Sequence, residues 1–301
     1  MLSFLPAPLL VIINLLLISI NCIVIATPIM ILGMFKCLLP LKSVKRFIEH
    51  LNFLLYRIWV AANYVIINAT NKINWKITGD PIPNIENKSC VVMSNHLSWF
   101  DILVINSVYK GKIATTKFFM KHSLIYIPFV GLACYALGMP FLRRYTREQL
   151  LKNPKLREKD IKSTKGACKR VIKYPTALIN FVEGTRYTPE KARLAKSSYQ
   201  HLMPPKTGSI GLTFGEIGND IECVFNTTIQ YPNNCAPKKP FIEMLKGKIT
   251  DIYVNVEILP KGYFPQGDFL KDKTYKHSIS MQVRDLWKQK DEKIESMLKN
   301  D

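Results

Sequence analysis

The segment Asn95-His96-Leu97-Ser98-Trp99-Phe100-Asp101 sets an imidazole and a carboxylate five residues apart. Histidine titrates near neutral pH, so a neutral His96 can take a proton from an alcohol. Asp101 can fix its tautomer and stabilise the imidazolium that forms. On an ideal helix, residues five apart differ by about 140° and do not share a face. The two side chains therefore meet only if the backbone changes conformation between them. Ser98-x-x-Asp101 is a capping-box-like pattern and supplies that change. It predicts Ser98 as N-cap, His96 on a strand-to-helix turn and Asp101 in the first helical turn. No protein nucleophile is needed, because a substrate hydroxyl can attack a thioester carbonyl directly.

A second chemical signal lies about eighty residues downstream, in Phe181-Val182-Glu183-Gly184-Thr185-Arg186. A strand ending in the turn Glu183, Gly184, Thr185, Arg186 exposes backbone amides and one guanidinium. Arginine binds phosphate through two parallel hydrogen bonds. Gly184 permits close backbone approach. Lys206, after Pro204-Pro205, and Lys121, before Pro128, are further candidate phosphate contacts. Taken singly, these features also describe a capped helix and a solvated turn. The longer string Asn-His-x-Ser-x-x-Asp is the more specific signal.

The elements that must position these residues alternate between strand and helix. Short β-rich runs occur at 89–93, 112–117, 176–182, 221–231 and 252–259. The segment 161–173 reads as a basic helix and 281–298 as a closing, charge-laced one. Alternation predicts an α/β fold: one domain over 73–301 with a central, mostly buried sheet flanked by helices.

No charged side chain occurs from Met1 to Phe35, and Leu9 to Phe35 is 27 residues long. A bilayer core needs about 20 residues as helix. Residues 1–35 therefore read as a transmembrane segment, with the excess absorbed by tilt or a break near Pro28. Lys36, Lys42, Lys45 and Arg46 follow it, which predicts an outside N-terminus and a cytoplasmic catalytic domain. In 36–72, Phe47, Leu51, Leu54, Leu55, Ile58 and Ala62 recur at helical spacing, predicting an amphipathic interfacial helix and linker.

The seven cysteines are scattered, form no Cys-x-x-Cys and match no zinc pattern. The net charge of +20 points to an anionic membrane surface or to nucleic acid. Residues 143–173 hold twelve Lys or Arg against three acids. RNA-binding aromatic signatures are absent, so no specific nucleic acid is expected.

With these residues in view, the chain resembles the lysophospholipid acyltransferase family, in particular the 1-acylglycerol-3-phosphate acyltransferases of a bacterial inner-membrane branch. Asn95 to Asp101 matches the first family motif. Gly138-Met139-Pro140-Phe141-Leu142-Arg143-Arg144 resembles the second, with Arg144 at the phosphate-binding position. Phe181 to Arg186 matches the third, with Val182 where many members have Pro. Asn226 to Pro232 resembles the fourth, in a Thr-x-x-Tyr-Pro form. The resemblance implies a glycerolipid-acyltransferase-type domain that acylates the free hydroxyl of a lysophospholipid, foremost 1-acyl-sn-glycerol 3-phosphate. Acyl-CoA or acyl carrier protein would be the co-substrate, with no metal or redox cofactor. His96 would be the general base, Asp101 its orienting carboxylate. Arg186, Arg144 and Lys121 would hold the acceptor phosphate, while Glu183 and Gly184 shape its site.

Overall fold

A computed structural model describes residues 2–39, 41–142, 152–153, 155–233 and 239–299. Its centre is a six-stranded sheet. The strands are β1 (Asn74–Gly79), β2 (Ser89–Ser94), β3 (Thr116–Phe118), β6 (Ala177–Phe181), β7 (Ile221–Gln230) and β8 (Asp251–Leu259). Their order is β1-β8-β7-β2-β6-β3, parallel throughout except for the β7–β8 pair. A two-stranded sheet of β4 (Met120–Lys121) and β5 (Phe141–Leu142) stands apart.

The run at 89–93 is apolar at consecutive positions because both faces of β2 are covered. Cys90 and Val92 belong to one core, and Val91 and Met93 to the other. Each such side chain contributes about 1.5–3 kcal/mol on burial. That load fixes β2 at mid-sheet, between β6 and β7. Helices α2 (Lys42–Thr70) and α3 (Phe100–Val108) cover the first face. The second is covered by α5 (Lys155–Val171), α7 (Thr207–Ile217) and α9 (Lys273–Lys299). The short helix α8 (Pro240–Leu245) adds to the first face, α4 (Val130–Ala136) packs against α2 and the N-terminal helix, and α6 (Pro189–Leu194) follows the Glu183–Arg186 turn.

Helix α1 (Ala7–Leu38) runs through Pro28 without a break. The Thr27 hydroxyl caps the Ile23 carbonyl beside the proline, and Ile25, Ala26 and Ile29 pack against α2 and α4. Both α1 and α2 are long and apolar enough to cross a membrane. Yet α1 is held against the rest of the protein near each of its ends. Asn14, wholly buried, donates to the Leu245 carbonyl at 3.0 Å and accepts from the Thr70 hydroxyl at 2.9 Å. At the other end Gly33 lies so close to Ala136 that a Cβ there would meet its Cβ at 2.5 Å. These anchors are 19 residues apart, about 28 Å at 1.5 Å per residue. On α2, the predicted stripe is exposed at Phe47, Leu54 and Ile58, while Asn52, Tyr56 and Asn63 turn inward.

The basic stretch is less free than its composition implies. Lys165 and Lys169 on α5 pair with Glu216 of α7 at 2.6 and 3.2 Å. The α1–α4 contact gives a direct prediction. Gly33→Val should overpack it and destabilise the protein by about 1–3 kcal/mol. Thermal unfolding in detergent should show a lowered midpoint, and a native midpoint would count against this packing.

Candidate active site

Three neighbouring parallel strands end at one edge of the sheet and deliver the chemistry there. β2 pairs Ser94 with Phe181 of β6 and with Thr227 of β7. Just past β2, the Asn95 side chain clamps β7, donating to the Ile229 carbonyl and accepting from its N–H, both at 2.9 Å. His96 follows, its ring stacked on Phe181 with centroids 4.0 Å apart.

His96 Nδ1 lies 2.7 Å from Asp101 Oδ2. The same oxygen accepts the backbone N–H groups of Leu97 at 2.7 Å and Ser98 at 2.9 Å. Oδ1 accepts the Tyr231 hydroxyl at 2.7 Å. The carboxylate is completely buried and sits in the first turn of α3, where the helix dipole favours negative charge. With Nδ1–H engaged, Nε2 remains as the basic nitrogen.

The capping pattern is realised only in half. Asp101 does reach back to the Ser98 N–H, as the pattern predicts. The Ser98 hydroxyl instead accepts from the N–H groups of Phe100 at 3.3 Å and Phe241 at 3.1 Å. Trp99 is the N-cap, in helical conformation, so the helix begins one residue later than the sequence reading placed it.

The Glu183–Arg186 turn docks on the same edge, where the Tyr187 N–H bonds the His96 carbonyl at 2.7 Å. Gly184 has φ +64, and a side chain there would strike Lys206 Cδ at 2.9 Å. Lys206 is thereby laid across the turn. The exposed Arg186 guanidinium lies 5.0 Å above the Trp99 ring, next to the His96 loop. Lys191, which the sequence reading passed over, bonds the Thr185 hydroxyl and the Arg186 carbonyl at 3.2 Å each. Lys121 is exposed on the small β4–β5 sheet, opposite Leu142. Arg144 lies outside the described residues.

Glu183 itself is buried, not offered to solvent. Burial pushes its pKa well above the usual carboxylate range. The backbone amides of Met203 and His96 face it, but neither of its oxygens closes a hydrogen bond of ordinary geometry. Its positive counterpart is Lys290 of α9, also buried, whose Nζ donates to the Thr227 carbonyl at 2.5 Å and the Thr228 hydroxyl at 3.2 Å. Burial pushes Lys290 down to about 7. The sequence does carry a signal for it: Lys290 falls in the stripe Val283, Leu286, Trp287, Ile294 at helical spacing.

A family model described as Acyltransferase matches residues 74–215. That span runs from β1 into α7 and holds both the His96 loop and the Glu183–Arg186 turn. Among curated proteins the chain is similar to 1-acyl-sn-glycerol-3-phosphate acyltransferase 3 of Arabidopsis thaliana, 24% identical over 76% of this chain and 59% of that protein. It is also similar to 1-acyl-sn-glycerol-3-phosphate acyltransferase delta of Bos taurus, 25% identical over 57% of this chain and 46% of that one. The chain thus spans about half the length of these relatives. In fold, the chain is similar to the crystal structure of the 1-acyl-sn-glycerophosphate (LPA) acyltransferase PlsC from Thermotoga maritima. The TM-score is 0.54 at 16% identity, over 94% of this chain and 97% of that one. Among the described residues no cluster of three or more His, Cys, Asp or Glu could hold a metal ion.

Lys290 makes the stability of the fold depend on pH. An unfolded lysine keeps its proton to about 10.5, whereas the folded one releases it near 7. Between these values the unfolded chain binds more protons, so the Lys290 contribution to stability rises with pH. Lys290→Met should lack that slope, by up to about 1.4 kcal/mol per pH unit. Unfolding midpoints of the two chains from pH 7 to 10 should diverge, and parallel curves would refute the assignment.

Proposed function

We propose that the chain transfers a fatty acyl group from acyl-CoA or acyl carrier protein to the free hydroxyl of 1-acyl-sn-glycerol 3-phosphate. Phosphatidic acid would be the product. The observation that carries this reading is the partly exposed His96 set on the buried Asp101 beside the Arg186 turn, with His96 Nδ1 2.7 Å from the carboxylate. The names of the relatives supply the substrate class.

His96 Nε2 takes the hydroxyl proton as the oxygen attacks the thioester carbonyl. Asp101 stabilises the imidazolium, as a triad carboxylate does. The tetrahedral intermediate collapses, the carbon–sulfur bond breaks, and the proton passes to the departing sulfur. Arg186 and Lys206 hold the acceptor phosphate, joined by Lys121 of β4 and by Arg144. Because a guanidinium reads the phosphate alone, another lysophospholipid such as lysophosphatidylglycerol is the second acceptor to test.

The packing of α1 bears on how the enzyme meets its lipid. A helix fixed to the catalytic body near both ends does not carry its start to the opposite side. We therefore place the α1–α2 hairpin in one leaflet, its exposed apolar stripes toward lipid. The basic residues Lys42, Lys45 and Arg46 favour the cytoplasmic face, that of the bacterial inner membrane. The N-outside spanning arrangement expected from hydropathy is the alternative to test. A tag fused before Met1 should be cleaved by protease in everted vesicles together with one after Asp301. Protection of the first tag alone would restore the spanning arrangement.

Purified protein offered a panel of lysolipids with radiolabelled oleoyl-CoA should label phosphatidic acid fastest, and His96→Ala should abolish the labelling. Undiminished turnover by His96→Ala would end the mechanism. Asp101→Asn preserves shape but withdraws the charge that steadies the imidazolium. It should fold normally and lose about a thousandfold to ten-thousandfold in kcat, by analogy with triad carboxylates.

A further inference from the structure

We infer that Tyr231 is a positioning residue for this chemistry: its phenol holds the second oxygen of Asp101 and sets how firmly that carboxylate retains the His96 imidazolium. The inference rests on the reading of His96 as the base. Tyr231 lies one residue beyond β7 and has no solvent exposure. Its ring stacks on Phe100, centroids 5.6 Å apart, beside Asp101 in the first turn of α3. Its hydroxyl donates to Asp101 Oδ1 at 2.7 Å. Oδ2 is occupied by His96 and the two backbone N–H groups, so the phenol is what orients the other oxygen.

The consequence is electrostatic as well as geometric. A hydrogen bond to a carboxylate is charge-assisted and withdraws electron density from it. The phenol therefore moderates the pull of Asp101 on the imidazolium, leaving His96 readier to release its proton to the leaving thiolate. Other charged groups reach this corner less directly. Glu183 sits at the end of β6, with Lys290 of α9 behind it. Arg186 lies over Trp99, and the Lys206 side chain crosses Gly184. The neighbours from β3 and β6 are the apolar rings Phe118 and Phe181, and α8 offers the Phe241 N–H to Ser98.

The test compares Tyr231→Phe, which keeps the ring on Phe100, with Tyr109→Phe. Tyr109 carries a comparably buried phenol on the same core, its hydroxyl 2.6 Å from the Thr227 hydroxyl and not on Asp101. Imidazole titration is followed by NMR of carbon-13-labelled histidine in detergent micelles, the His96 signal being the one lost in His96→Gln. In Tyr231→Phe the His96 signal should titrate at higher pH than in the native chain. With lysophosphatidic acid and oleoyl-CoA, kcat should fall about tenfold to a hundredfold with little change in KM, and the acid limb of the pH profile should move upward. Tyr109→Phe should leave the His96 titration where it was. An unmoved signal in Tyr231→Phe, or the same displacement in Tyr109→Phe, overturns the inference. The NMR arm needs no turnover. Native protein that fails to acylate the lysolipid therefore sinks the substrate reading, while the titration still decides the role of Tyr231.

Discussion

A fully buried carboxylate with four donors around it is the constraint on which this structure turns. Removing Asp101 from water costs several kcal/mol unless its oxygens are satisfied. The donors come from His96, Leu97 and Ser98 on one loop and from Tyr231 on another strand. No local segment of chain can supply this set. It exists only when β2 and β7 are neighbours in register, and that adjacency is enforced by the apolar load on both faces of β2 and by the Asn95 clamp on Ile229. The same interactions that complete the sheet therefore complete the site.

Parallel strands make the arrangement economical. Because β2, β6 and β7 run the same way, their carboxyl ends converge, and α/β sheets bind ligands at that edge. His96 and the Arg186 turn become neighbours although about ninety residues separate them, and the His96 carbonyl bonds directly to the Tyr187 N–H. Arg186 then has an aromatic platform in Trp99, a residue of the His96 loop itself. The proposed base and the proposed phosphate-binding group are thus held on touching loops, which limits how far either moves independently of the other.

What the sequence made legible follows the range of the interaction. His96 and Asp101 are five residues apart, so a strand-to-helix turn and a capping pattern were enough to predict their meeting. The strands at 89–93, 176–182, 221–231 and 252–259 showed as β-rich runs, and the α/β class followed from their alternation. Tyr231 was noticed only as part of a motif, because its partner lies 130 residues away. Lys290 was read as part of a charged helix, although its place in an apolar stripe marked it for burial. The packing of α1 against the rest of the protein was not legible. Hydropathy reports that a helix prefers lipid, but its anchoring depends on Asn14 and Gly33, whose partners are a carbonyl and an alanine far along the chain. Lys121 and Lys206 looked alike as isolated surface lysines; only the close approach at Gly184 brings the second onto the turn.

Two carboxyl groups share this edge under opposite conditions, and the difference decides the local charge. Asp101 is surrounded by donors suited to an ionised carboxylate. Glu183 closes no hydrogen bond of ordinary geometry and is pushed toward its protonated form by burial, with the nearby Asp101 adding to that push. Two unscreened negative charges beside His96 would hold the imidazolium too firmly and would also repel a phosphate. Neutralising one of them, by its own proton or by the buried Lys290, leaves a single anion paired with the imidazole. Environments that drive paired titratable groups apart are how a site assigns separate roles to like residues. Here Asp101 has the donors that suit a charge beside the proposed base, and Glu183 supplies a buried root for the turn that presents Arg186.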